Sequence, residues 1–330
     1  MDDVEALYYE KLDRSRVRCG LCPNDCLIDP GGAGRCGQRK NNNGKLIALS
    51  YGRTVTVAID PIEKKPLFHF MPGSRILSVG PNGCTLTCDH CQNWEISQKT
   101  IPTRYISPEQ LVDLASEEGS VGVAFTYTEP LVWYEYILDT APLLRKRGLK
   151  SVLVTNGYLN EEPARRIAPL IDAFNIDLKS YDDRFYREYC GGTIEPVKKF
   201  IEIASSVSHV EITNLVIPGL NDSPGSIEDM AKWISGISSD IPLHFSRFFP
   251  KYKMEKLAAT PVETLSTAYG LARRFLDYVY IGNIFIEGTE NTVCPDCGEA
   301  VIKRAGYSTE MIISDGVCRR CGKGIKGVWK

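Results

Sequence analysis

The sequence predicts an α/β protein: a partial or complete barrel of about six parallel βα units, with a small cysteine-rich module at each end. Three observations carry that expectation. Short apolar runs rich in β-branched residues alternate with helical patterns from about residue 72 to 290. Helix starts are readable between those runs, at Ser107-Pro108 and at Asn160-Glu161-Glu162. Of the 12 cysteines, 11 fall into three tight clusters, at 19/22/26/36, 84/88/91 and 294/297/318/321. The clusters divide the chain into residues 1–60, 61–290 and 291–330.

Taken in order, the first part holds Cys19, Cys22, Cys26 and Cys36 and one short turn, Asn41-Asn42-Asn43-Gly44. Residues 55–59 then read as a strand. The strands of the middle part are expected at 75–80, 122–127, 151–155, 174–178, 210–217, 243–248 and 278–281. Strands separated by helices imply parallel pairing, and in such folds chemistry gathers at the strand C-termini. The last part reads as a compact appendage.

Composition narrows the class. At 330 residues, 43 % hydrophobic and 24 % charged, the chain is neither disordered nor collagen-like. A chain of this length builds its core without staples. No apolar run approaches the length of a membrane span, and the N-terminus lacks a basic-then-apolar leader, so a cytoplasmic protein without a membrane partner is expected. A net charge of −2 without a dense basic tract does not suggest nucleic acid. In that setting clustered cysteines point to metal ligation, and a disulfide framework is the competing reading.

The central cluster is Cys84-Thr-Leu-Thr-Cys88-Asp-His90-Cys91, directly after the 75–80 strand. Three thiolates at this spacing can hold three corners of a cubane iron–sulfur cluster. The missing fourth leaves one iron open to an outside ligand. The alternative is a zinc site completed by His90 or a distant residue. The C-terminal set pairs Cys294-x-x-Cys297 with Cys318-x-x-Cys321 across twenty residues, the pattern of a zinc ribbon. The N-terminal set is less regular, and zinc or an auxiliary iron–sulfur cluster both suit it. Cys190 stands alone beside Gly191-Gly192; it reads as a buried free thiol or as a hydrogen-atom donor or substrate contact.

The C-x-x-x-C-x-x-C loop resembles the signature of the radical S-adenosylmethionine (SAM) superfamily. His90 takes the place of the usual aromatic residue and could still pack on adenine. The resemblance implies a partial (β/α)6 TIM-like barrel, a 4Fe-4S cluster on Cys84, Cys88 and Cys91, and SAM on its open iron. It implies reductive cleavage of SAM to a 5′-deoxyadenosyl radical that takes a hydrogen atom from a substrate. An electron donor such as ferredoxin or flavodoxin would feed the cluster. Glu129-Pro130 ends the second strand where family members have Gly-Gly-Glu-Pro, and Glu129 would accept from the SAM ammonium. Asn156 ends the third. Asp177-x-Lys179 ends the fourth, similar to the pair in pyruvate formate-lyase activases, and would bind the SAM carboxylate and position its amino end. His244 would lie near the SAM ribose or carboxylate. The strand-mouth carboxylates are expected to be exposed.

Further segments narrow the resemblance. Glu63-Lys64-Lys65-Pro66-Leu67-Phe68-His69-Phe70, Gln92-Asn93, Tyr189-Cys190-Gly191-Gly192, Arg247-Phe248-Phe249-Pro250 and Tyr280-Ile281-Gly282-Asn283 look like the AmmeMemoRadiSam system radical SAM enzymes, relatives of the glycyl-radical-enzyme activases. This branch implies association with Memo-type and Ammecr-type proteins. Its substrate is not defined by these motifs. Two other functions compete: a glycyl-radical-enzyme activase acting on a protein glycine, and a metal-stapled scaffold or binding protein without chemistry.

Overall fold

The computed structural model describes residues 3–313 and 315–329. Its main sheet has eight strands: β1 (Thr56–Pro61), β2 (Arg75–Gly80), β3 (Gly122–Phe125), β4 (Lys150–Thr155), β5 (Ala173–Asp177), β6 (His209–Val216), β7 (Leu243–Arg247) and β8 (Val279–Gly282). From β2 to β8 every neighbouring pair is parallel, and β1 joins the edge of β2 antiparallel. The sheet order simply follows the chain, and β1 and β8 remain its two edges, so the barrel is open. Six helices make the crossovers: α1 (Pro108–Glu117), α2 (Tyr134–Lys146), α3 (Glu161–Ile167), α4 (Glu195–Ser205), α5 (Pro224–Ile237) and α6 (Val262–Ala272). Six βα units and a last strand result, as alternation of apolar runs with helices requires.

Local chemistry fixes the ends. Ser107 caps α1 through a complete capping box, its side chain accepting from the Gln110 N–H while Gln110 accepts from the Ser107 N–H. Asn160 stands at the start of α3 in extended backbone, but its side chain does not cap the helix. Its Nδ2 donates instead to the Gly20 carbonyl at 2.8 Å, which ties α3 to the N-terminal part. The expected cap therefore serves as a clamp between two parts of the chain.

The N-terminal part is an antiparallel sheet of Tyr9–Lys11, Val17–Cys19 and Cys26–Ile28, plus a hairpin of Arg39–Asn42 with Lys45–Ala48. Asn43 and Gly44 turn that hairpin with φ of 49° and 89°, the positive pair a two-residue turn needs. Val17, Leu21 and Leu46 share one core with the barrel strands, and Arg39 forms a buried ion pair with Glu135 of α2. The boundary expected at residue 60 falls inside β1, so the sheet reaches back into that first part. The C-terminal part is an antiparallel sheet of Thr292–Val293, Ala300–Ala305 and Ser308–Met311. It packs on Tyr278 and Tyr280, and the chain returns to the barrel where Val328 N–H donates to the His69 carbonyl at 2.7 Å. Among the described residues no helix is long and apolar enough to cross a membrane.

Candidate functional site

A cavity of about 230 Å³ opens at the C-terminal ends of the parallel strands. Cys84, Cys88, His90, Cys91, Glu129, Asn156, Asp177 and Lys179 all line it. The geometry thus brings together eight of the nine residues expected there, from one loop and three strand mouths. The twelve cysteines are free thiols, so the disulfide reading fails.

The loop after β2 supplies the thiols. Gly80 allows the close exit: a Cβ there would lie 2.5 Å from the Thr126 carbonyl oxygen. Leu86 N–H and Asn156 Nδ2 each donate to Cys84 Sγ at 3.4 Å, and Ser97 Oγ meets Cys91 Sγ at 3.2 Å. Burial raises the Cys84 and Cys91 thiols above the usual range. Cys88 is lowered, first by a hydrogen bond from Cys190 and further by the Lys179 ammonium, against its burial. Cys84, Cys88 and Cys91 are not gathered within 4.8 Å of one another, whereas the ligand atoms of Cys88, His90 and Cys190 are. A single ion on that second group would leave Cys84 and Cys91 unused on the wall of the same cavity. Thiols spread around an open space fit a cubane cluster, whose thiolates ligate separate irons.

Glu129 is 1 % exposed. Its carboxylate accepts from Thr155 Oγ1 at 2.6 Å, Leu131 N–H at 3.0 Å and Asn156 N–H at 2.8 Å. Burial nonetheless lifts its pKa to about 7. The expectation of an exposed carboxylate fails here, because the strand end turns back into a 3-10 helix at Pro130 and buries it. Two residues before Glu129, the place of the first absent glycine is filled by Tyr127. Tyr127 takes φ 71°, a left-handed conformation that glycine adopts freely, and is held there by its hydroxyl on Asp60 at 2.7 Å. Asp177 is partly exposed and pairs with Lys179 at 3.1 Å. Burial opposes the Lys179 charge, yet Asp177 first and the Cys88 thiol next hold that ammonium well above its usual range. The His90 ring is buried beside Phe185, at 5.8 Å between centroids, and its Nδ1 has no hydrogen-bond partner. Burial first, then the Lys179 charge, pushes its pKa down to about 3, so the ring is neutral.

His244 departs from expectation. It is the second residue of β7, deep in the barrel, and is absent from this cavity's wall. Its Nε2 donates to Glu211 at 2.6 Å, and its ring stacks on Tyr280. Glu211 is fully buried and also accepts from His209 Nε2 and from the backbone N–H groups of Phe68 and His69. Burial opposes its charge, yet these donors hold its pKa well below the carboxylate range. A second cavity, of about 350 Å³, is lined by His244, Phe68, Glu63, Glu290 and Tyr307. It shares Thr213, Ser246 and Asn283 with the first, so the two adjoin. Thr213 and Ser246 were not legible as site residues, since a lone hydroxyl on a strand carries no motif. Cys190 is buried, lines neither cavity and touches Cys88 instead.

The C-terminal thiols form a different site. Cys294 and Cys321 lie 3.5 Å apart, Cys297 and Cys318 3.7 Å, and all four fall within 4.8 Å of one another. That is the spacing of four thiolates around one tetrahedral ion.

Over 326 residues the chain is 44 % identical to an uncharacterized protein of Methanocaldococcus jannaschii, with 96 % of each covered. It is 26 % identical to the pyruvate formate-lyase-activating enzyme of Clostridium pasteurianum, over 50 % of this chain and 71 % of that one. Streptococcus suis SuiB shares the fold with a TM-score of 0.50 at 12 % identity, over 67 % of this chain and 52 % of that one. The Radical SAM superfamily profile matches residues 79–234, a span holding the three-thiol loop with Glu129, Asn156, Asp177 and Lys179, and this part of the chain is therefore a radical SAM domain, of a superfamily whose members are enzymes.

Proposed function

We propose that this enzyme abstracts a hydrogen atom from a small-molecule substrate held in the His244 cavity, next to SAM bound at Cys84, Cys88 and Cys91. The observation that carries the reading is the shared wall: Thr213, Ser246 and Asn283 face both cavities. When bound, the cluster and SAM supply a reductively generated 5′-deoxyadenosyl radical. The chain's own residues do the rest. Glu129 spends three acceptor positions on Thr155, Leu131 and Asn156, which leaves room on a carboxylate for one more donor, the SAM ammonium. Lys179 offers a cation to the SAM carboxylate, and Asp177 holds that cation in place. Asn156 braces the loop by donating to Cys84 Sγ and Thr85 Oγ1. His90 offers a neutral ring for adenine.

A volume of about 350 Å³ suits a compact ligand and is at the small end for organic substrates. Phe68 and Tyr307 give it apolar walls, and Glu63 and Glu290 give it acidic ones. Membership of the AmmeMemoRadiSam branch, with Memo-type and Ammecr-type partners, is part of this reading and is supported by the segments quoted from residues 63–70 and 280–283; a cytoplasmic location and a ferredoxin- or flavodoxin-type donor belong to the same reading. Zinc is the ion proposed for Cys294, Cys297, Cys318 and Cys321.

Similarity to the Clostridium pasteurianum activase favours a second reading, in which the hydrogen comes from a protein glycine. Anaerobically reconstituted protein with reductant and SAM separates the cases. Release of 5′-deoxyadenosine without any protein partner supports the first reading. A glycyl-radical signal on an added partner, with no turnover in its absence, supports the second. No SAM cleavage under any condition sinks both.

A further inference from the structure

The N-terminal thiols, unlike the C-terminal ones, are not arranged around a point. Around a tetrahedral zinc ion, bonds of about 2.3 Å place thiolates about 3.8 Å apart. Cys294, Cys297, Cys318 and Cys321 meet that condition. No three of Cys19, Cys22, Cys26 and Cys36 come within 4.8 Å of one another, and in this they match Cys84, Cys88 and Cys91. Yet the four share one space. Cys19 and Cys26 are cross-strand partners. Cys22 lies in the turn that joins those two strands, and Cys36 follows Arg35, whose N–H donates to Cys26 Sγ, so the four positions sit at one end of the small sheet. Three N–H donors reach the sulfurs: Asn24 Nδ2 to Cys22 at 3.5 Å, Arg35 N–H to Cys26 at 3.4 Å and Arg39 Nη1 to Cys19 at 4.0 Å. Hydrogen bonds of this kind stabilise anionic sulfur and tune iron–sulfur clusters.

The same module grips the cluster loop. Asn24 Nδ2 also donates to the Thr85 carbonyl at 2.7 Å. That carbonyl belongs to the peptide group whose N–H, on Leu86, donates to Cys84 Sγ at 3.4 Å. One amide and one peptide group thus join Cys22 to Cys84 in a path of at most about 12 Å. Arg35 fastens the joint, its guanidinium donating to Thr87 Oγ1 at 2.9 Å and to the Gly191 carbonyl at 2.6 Å. Gly83 lets the surfaces touch, since a Cβ there would stand 2.5 Å from the Cys36 carbonyl oxygen.

We propose that Cys19, Cys22, Cys26 and Cys36 bind a second iron–sulfur cluster, wired through Asn24 to the cluster at Cys84, Cys88 and Cys91. It is an entry point for single electrons. A low-potential donor protein gives up one electron to the N-terminal cluster, which returns to its oxidised state on passing that electron inward. The wiring rests on the functional reading above, and the cluster assignment does not.

Metal and sulfide counts on anaerobically reconstituted protein test it. A Cys84→Ala/Cys88→Ala/Cys91→Ala variant should keep about half of the wild-type iron and sulfide, with a reducible EPR signal. A Cys22→Ala/Cys36→Ala variant should lose the half that the first variant keeps and leave zinc unchanged. Should that second variant fail to fold, the first decides, because its N-terminal thiols are native. A triple variant that keeps zinc at the C-terminal thiols but holds no iron overturns the proposal, as does zinc lost with Cys22 and Cys36. Equal iron in wild type and triple variant would keep the N-terminal cluster and sink the functional reading instead. Reduced wild type should show two EPR signals that broaden each other; two signals that merely add would overturn the wiring.

Discussion

Glu129 Oε2 accepts the backbone N–H of Asn156 at 2.8 Å, which locks the mouth of β3 to the mouth of β4. Asn156 carries the link onward to Cys84 Sγ at 3.4 Å. The carboxylate proposed to meet the SAM ammonium is thereby part of the same hydrogen-bonded unit as a thiol proposed to hold the cluster.

The Glu129 charge should make SAM binding pH-dependent. Burial lifts its folded pKa from 4.5 to about 7. Between those values the folded state binds more protons than the unfolded one. This group's contribution to stability is therefore full below 4.5 and falls as pH rises toward 7. An arriving ammonium favours the ionised carboxylate, so binding expels a proton and SAM affinity rises with pH up to about 7, then levels. Glu129→Gln should flatten that rise and weaken binding at pH 8 by about ten- to a hundred-fold, the worth of one charge-assisted bond. Glu129→Ala should also unfold more easily, since Thr155, Leu131 and Asn156 lose their acceptor. Calorimetric titration across pH checks this, and a wild-type affinity indifferent to pH would remove Glu129 from the ammonium site.

Cys88→Ala should abolish release of 5′-deoxyadenosine. Cys88 is buried, and three thiolates are the minimum that holds a cubane with one open iron. Chromatography of quenched reactions measures the product. Undiminished release from the variant would sink the cluster assignment.

Cys297→Ala and Cys321→Ala should lower zinc content and melting temperature while iron at the catalytic loop stays unchanged. Their site has single-ion dimensions and lies outside the main sheet. The loss should also loosen the second cavity, since Tyr307 on its wall belongs to the same module. Iron falling in step with zinc would show that the set holds a cluster.

Most of the frame was legible because its signals are local. β2 starts and ends where the apolar run does, and α1 begins at its capping serine. The thiol loop, Glu129, Asp177 and Lys179 were legible because a short motif sits at each strand end. Glu211 was not. In the alternating run of β6 it occupies a slot that reads as solvent-facing, and only the return of residues 68–69 across the barrel buries it among four donors. The same long-range packing, invisible in the 243–248 run, carries His244 away from the first cavity. Tyr127 shows the converse: a glycine conformation held by a tyrosine, because Asp60 lies 67 positions earlier in sequence and beside it in space.

Asp177 and His244 should separate the two cavities experimentally. Asp177→Ala removes the carboxylate that steadies Lys179 at 3.1 Å, within the first cavity. It should keep the cluster and bind SAM about ten- to a hundred-fold more weakly, with little change in melting temperature, because Asp177 is partly exposed. His244→Ala should do the opposite. It deprives the buried Glu211 of a donor at 2.6 Å, which costs about 1–3 kcal/mol of stability, yet it touches no wall of the first cavity. SAM affinity should therefore stay near wild type. His244→Gln, which restores an N–H toward Glu211, should recover part of the stability. SAM titration followed by the cluster's EPR signal, run beside thermal unfolding, reads both effects. If His244→Ala weakens SAM binding as much as Asp177→Ala while folding equally well, His244 does reach the cofactor, and the division of the barrel into a SAM cavity and a substrate cavity is wrong.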